Sequence, residues 1–148
     1  YTLACILDQA GRTSEAVPLL KEAITNDVGL YMAHVRLANI LQDQHRLTAS
    51  VEERRRAVDA NPEDPSLVFE LGEALARAGE MAEAQTTLRQ AREANPHNVR
   101  ALYVLGIVAG QVGSTDEARD ALTQFLARAP SRFSAQKVEA QRRLQELK

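Results

Sequence analysis

Tryptophan is absent from this sequence, cysteine occurs once, and glycine and proline number only 7 and 5. The lone Cys5 excludes an internal disulfide and a cysteine-built metal cage. So few helix-breaking residues leave most of the chain free to be helical. No apolar run approaches the ~20 residues that a membrane span requires. No signal-peptide pattern opens the chain; a soluble protein without membrane insertion is the expectation, its compartment left open with the cytoplasm favoured. A net charge of −2 provides no electrostatic footprint for nucleic acid or an anionic membrane. What is present is ordinary for a folded domain: 45% hydrophobic and 26% charged residues, a balance that argues against disorder.

Catalytic and metal-binding patterns are missing too. His34, His45 and His97 fall in different helices or turns. None has a second histidine or a carboxylate at metal-binding spacing on one face. Cys5 lacks a charged neighbour that would activate its thiol. Glu70 and Glu73 share a helix face, but a hydrolytic carboxylate pair needs a closed pocket. The basic run Arg54-Arg55-Arg56 follows Glu52-Glu53 and reads as a solvated face. Glycine-rich phosphate loops do not occur. No catalysis, no cofactor and no metal are expected.

The informative signal is periodic. Ala60-Asn61-Pro62, Ala94-Asn95-Pro96 and Arg128-Ala129-Pro130 recur at a step of 34 residues. The same step aligns Leu3, Leu37, Leu71 and Leu105, then Ala4, Ala38, Gly72 and Gly106, then Ala16, Ser50, Ala84 and Ala118. Periods of this length mark stacked supersecondary units. Each unit reads as two helices. In residues 65–98, Asp64 caps a helix that has Pro65 at its first position. Val68, Leu71, Gly72 and Leu75 line one face, and Gly79 supplies a left-handed stop. A second helix then carries Met81, Ala84, Leu88 and Ala91. The next unit repeats the plan with Asn98 as cap, Gly113 as stop and a Ser114/Glu117 capping box. Gly72 opposite Ala84, and Gly106 opposite Ala118, are expected to let paired helices cross closely.

These columns resemble the tetratricopeptide repeat. The third repeat (65–98) matches at Val68, Leu71, Gly72, Leu75, Ala84, Leu88, Ala91 and Pro96, and the fourth (99–132) at Leu102, Leu105, Gly106, Ala109, Ala118, Leu122 and Pro130. The second (31–64) keeps Leu37, Ala38, Leu41, Ser50, Ala57 and Pro62. The first (1–30) is truncated and keeps Leu3, Ala4, Leu7, Ala16, Leu20 and Ala23, as though Tyr1 were cut from within a helix. His34 and Arg54 depart from the large apolar residues preferred there, Val28-Gly29 replaces a closing proline, and Phe125 stands where alanine is usual. Residues 133–148 leave the frame and read as a capping helix, apolar along Ala135, Val138, Leu144 and Leu147. The resemblance implies an all-α fold, a right-handed solenoid of antiparallel helix pairs with a C-terminal cap.

It also implies a function. In this family the first helices of the repeats line a concave groove that grips a protein or peptide partner. Carried onto this chain, the groove positions are Met32, Val35, Arg36, Asn39, Phe69, Glu70, Glu73, Arg100, Tyr103 and Ile107. Tyr1, Val35, Phe69 and Tyr103 share one column, so its rings are expected either to anchor a partner or to pack between repeats. Asn39 is expected either to hydrogen-bond a passing peptide backbone or simply to be solvated. A subfamily clamps C-terminal carboxylates with lysine, arginine and asparagine. Here those places hold Tyr1, Cys5, Arg36, Ser66 and Glu70 in one frame and Val35, Asn39, Glu70, Arg100 and Val104 in the next. Glu70 would repel a carboxylate in both, so binding to the acidic C-termini of heat-shock chaperones is not carried over. The expectation is a protein-interaction scaffold. The alternative is a substrate-recruiting region of a larger enzyme, and weak self-association through the truncated first repeat is a further possibility.

Overall fold

In a computed structural model, described over residues 1–147, the 34-residue step becomes four helix pairs and a terminal helix. The pairs are α1 (Thr2–Gln9) with α2 (Thr13–Asn26), α3 (Tyr31–Asp43) with α4 (Leu47–Ala60), α5 (Pro65–Ala78) with α6 (Met81–Ala94), and α7 (Val99–Gln111) with α8 (Thr115–Arg128). A short 3-10 turn, Ser131–Phe133, leads into α9 (Ser134–Glu146). No strand occurs among the described residues. Each helix packs on its partner, and the second helix of each pair packs on the first of the next, which makes an all-α superhelical array.

The punctuation acts as its chemistry dictates. The Asp64 carboxylate accepts the Ser66 N–H at 2.9 Å, and Asn98 Oδ1 accepts those of Arg100 and Ala101. Both satisfy donors that a helix start leaves open. Gly11, Gly79 and Gly113 turn between paired helices at φ of +76°, +86° and +82°. At the equivalent place in the second repeat stands His45, at φ +58°. A side chain there costs roughly 1–2 kcal/mol.

Three packing expectations need correction. Ser114 and Glu117 do not form a capping box. Gln85 of α6 donates to the Ser114 hydroxyl at 2.9 Å and to the Glu117 carboxylate, so a residue from the neighbouring repeat holds both. The helix-pair glycines face leucine, not alanine. A Cβ on Gly72 would lie 2.8 Å from Leu88 Cγ, and one on Gly106 only 2.6 Å from Leu122. The leucine side chain fills the space that the glycine leaves, and both leucines are fully buried. Gly106→Ala is therefore expected to overpack this crossing and lower stability by about 1–3 kcal/mol; equilibrium urea unfolding checks it. Finally, α9 does not pack through Ala135 and Val138, the latter 67% exposed. Its inward face is Ala140, Leu144 and Leu147, one helical stripe, which joins Phe133 against Leu102 and Phe125.

The array's two ends differ. Leu3, in the leucine column, is 58% exposed and Ile6 57%, because no helix covers that face of α1. At the other end Phe125 is completely buried, with ring centroids of Tyr103 and Phe133 at 5.1 and 6.0 Å. The aromatic that replaces the usual alanine is thus the plug on which α9 seats.

The apolar core divides in the second repeat, and again in the fourth, where Leu102, Leu122 and Phe125 join Ala140 of α9 in a cluster of their own. One cluster gathers α1, α2 and α3, and another runs from Val51 of α4 through α8. Between α3 and α4 the contacts include Ser50 Oγ to the Ala38 carbonyl (2.8 Å), His34 Nδ1 to Glu53 (2.7 Å) and Arg54 to Asn39 (2.7 Å). Arg54, expected on a solvated face, is 7% exposed. It occupies the leucine column of Leu20, Leu88 and Leu122, so its chain must run inward with the helix-pair contact. Arg55 and Arg56 of the same run do stay near solvent, paired with Glu83 and Glu53.

Candidate functional site

The first helices of the pairs, α1, α3, α5 and α7, present one side of the array, and two depressions lie along it. The first, about 420 Å³, is lined by Met32, Val35, Arg36, Asn39 and Glu70 of the expected groove set, with Tyr1, Tyr31 and Asp64 at its edges. The second, about 300 Å³, is lined by Glu73, Tyr103 and Ile107 of that set, together with Val104 and Met81. Phe69 and Arg100 line neither depression and stand between them. Phe69 lies in the core at 5% exposure, packed in the cluster of Val51, Ala101 and Leu105. What covers its ring is Arg100, whose guanidinium carbon sits 5.3 Å from the ring centroid. Arg100 also donates to the Glu73 carboxylate at 2.8 Å, and this pair partitions the surface.

The polar groups of the first depression are held from beneath. Arg54 reaches from α4 to donate to Glu70 at 2.6 Å on α5 and to Asn39 Oδ1 at 2.7 Å on α3. With its oxygen so occupied, the exposed Asn39 amide keeps its two N–H donors for a visitor. Arg36 is anchored to Asp8 of α1 at 3.1 Å. Met32, 43% exposed, supplies a flexible apolar contact beside half-buried Val35 and Tyr31. In the second depression Tyr103 packs on Phe125, and burial pushes its hydroxyl above the usual phenol range, with the Glu139 carboxylate adding to the rise. Its ring edge and Ile107 are half-buried.

The expected set supplies Met32, Val35, Arg36, Asn39 and Glu70 to the first depression and Glu73, Tyr103 and Ile107 to the second; it lacks Tyr31, and it lacks Arg54, which lines neither but holds Glu70 and Asn39. Arg54 belongs to a second helix, outside the columns that the family resemblance assigns to the groove. Tyr31 opens α3, at a repeat position outside those columns. Among the described residues no group of three or more histidine, cysteine or acidic side chains could hold a metal ion, and no helix is long and apolar enough to cross a membrane.

The family model described as tetratricopeptide repeat matches residues 1–65, 35–84 and 69–133. No curated protein matches the sequence. Among solved structures, the chain is similar to YrrB, described as a TPR protein with an unusual peptide-binding site, at 19% identity and TM-score 0.80, covering 99% of this chain and 79% of that one. It is similar to MamA at 18% identity and TM-score 0.79, over 97% and 91% of the two chains. The first TPR of Spaghetti, solved bound to an HSP90 peptide, aligns at 20% identity and TM-score 0.71 over 82% and 92%.

Proposed function

Because this chain belongs to the tetratricopeptide repeat family, generally an interaction module, we propose that it is a scaffold that holds an extended peptide segment of a partner along α1, α3, α5 and α7. The observation that carries the reading is the pair of depressions on that side, separated by the Arg100–Glu73 bridge, each with apolar lining and charged edges. A chain in extended conformation advances ~3.3 Å per residue, and its alternate side chains can enter successive depressions. The Asn39 amide is placed to donate to a backbone carbonyl of such a segment. Binding by two solved structures of this fold, one to an HSP90 peptide and one described by its peptide-binding site, supports the mode though not the ligand. Glu70 is paired with Arg54 and Arg36 with Asp8, so among the described residues Asp64 is the one lining charge without an ionic partner, and the first depression disfavours an anion. The favoured segment is therefore apolar and carries no anionic side chain at that site.

The test uses exposed residues, so that folding and binding separate. Peptides selected on the protein from a displayed library are expected to lose at least tenfold in affinity for Met32→Ala/Asn39→Asp, in which the aspartate keeps the acceptor for Arg54 and removes both N–H donors, with a thermal midpoint within a few degrees of the parent. Loss of one amide hydrogen bond and one apolar contact accounts for that factor. Undiminished binding by the double variant would move the site off this side of the array.

A further inference from the structure

Second helices of neighbouring repeats are joined by ion pairs at a constant step: Arg55 to Glu83 from α4 to α6, then Arg89 to Glu117 from α6 to α8. One repeat earlier the same two positions hold Lys21 and Ala49, which cannot pair. In that seam lies a cavity of about 730 Å³, walled by α2, α3, α4 and the turn at Val28-Gly29. Cavities of a few hundred to about 1,000 Å³ are the size that small organic ligands occupy.

The cavity carries a built polar group. His34, 2% exposed, lies among its lining residues, as does Glu53. One repeat on, these positions are Val68 and Thr87, and two repeats on Leu102 and Ala121, so the buried ionisable pair is peculiar to this seam. His34 Nδ1 is 2.7 Å from Glu53 Oε2. A carboxylate accepts, so Nδ1 carries a proton and the open valence is at Nε2. Nε2 has no hydrogen-bond partner among the described residues. His34 is 2% exposed and lines the cavity, so the open space within reach of this nitrogen is the cavity's.

We propose that this cavity is a second site, independent of the peptide reading, for a small apolar molecule bearing one hydroxyl. The walls at Ile24, Val28, Leu37 and Ala60 suit an aliphatic or aromatic body. Two cations, Lys21 and Arg56, and two anions, Glu53 and Asp59, share the lining, so neither an anionic nor a cationic ligand gains from the field. The neutral ring offers a lone pair at Nε2 and the protonated ring a second N–H. A hydroxyl serves either state, because it both accepts and donates.

The probe is 2-naphthol, compared with 2-methylnaphthalene, which has the same outline without the oxygen. Calorimetric or fluorescence titration of the native protein is expected to show saturable binding of 2-naphthol, at least tenfold tighter than its methyl counterpart. His34→Leu installs the residue that the fourth repeat carries at this place and is expected to bring the two probes to parity. Val28→Asp, at a 73% exposed turn position, is expected to weaken both probes without disturbing the core. Nitrogen NMR of the native protein provides a readout that does not depend on the folding of a variant: 2-naphthol is expected to move the His34 Nε2 resonance. Absent saturation, equal affinity for both probes in the native protein, or an unmoved Nε2 signal overturns the site. So does a folded His34→Leu variant that keeps the preference for the hydroxyl.

Discussion

Phe125→Ala is expected to remove about 3–5 kcal/mol of stability, the range for deleting a large buried ring. The upper half of that range applies, because the ring is completely buried and has aromatic neighbours on two sides, Tyr103 and Phe133. Its removal leaves a cavity that α9 cannot collapse into without losing Leu144 and Leu147 from the same cluster. The loss is also expected to be local. Chemical denaturation followed by amide exchange should show α9 and the end of α8 open first, while α5 and α6 keep their protection. A loss below about 1 kcal/mol would mean that α9 is held by its surface contacts, such as Arg119 to the Leu147 carbonyl, and not by the aromatic plug.

The second large effect concerns Arg54, where opposite signs are expected from neighbouring substitutions. Glu70→Ala strands a guanidinium that is 7% exposed and whose Nε already lacks a partner. Removing one partner of a buried charge costs about 3–5 kcal/mol; because the Glu70 side chain is 38% exposed, the lower end applies. Arg54→Leu removes the whole requirement. It restores the leucine found at Leu20, Leu88 and Leu122, and the first repeat shows that alanine on the facing helix tolerates it, since Ala4 and Leu20 are both fully buried. Stability is expected to be unchanged or to rise, by up to about 1–4 kcal/mol. Peptide binding is expected to weaken nonetheless, because Glu70 and Asn39 lose the group that fixes them. Parallel unfolding and binding titrations on the two variants decide it. Destabilisation by Arg54→Leu would show that the ionic cluster, and not its absence, is what the second repeat needs.

The fold was legible in the sequence wherever a residue acts on its own helix. Asp64 and Asn98 cap within three residues, Gly79 and Gly113 turn where a left-handed φ is needed, and the leucine columns repeat because each pair solves the same packing problem. Readings failed where the partner lies on another helix. Gln85 takes Ser114 and Glu117 from 29 and 32 residues away, and Arg54 finds Glu70 at a separation of 16. Nothing local announces such a pairing. Gly106 was assigned to the right crossing but to the wrong neighbour, because helical side chains lean along the axis and Leu122, not Ala118, fills the gap. The groove set was assigned by column alone. The seating of Phe69 beneath Arg100 depends on how closely α5 and α7 approach, which no spacing rule encodes.

The division of the apolar core at the second repeat has a consequence for how the molecule comes apart. In a stacked array each unit is supported only by its neighbours, so melting starts at the joint whose rupture is cheapest. Between α3 and α4 that rupture hydrates His34, Glu53 and Arg54, groups for which water is a better host than the interior. Heating therefore releases an amino-terminal segment ahead of the rest, and the calorimetric trace is a broadened or double transition, not a single cooperative one.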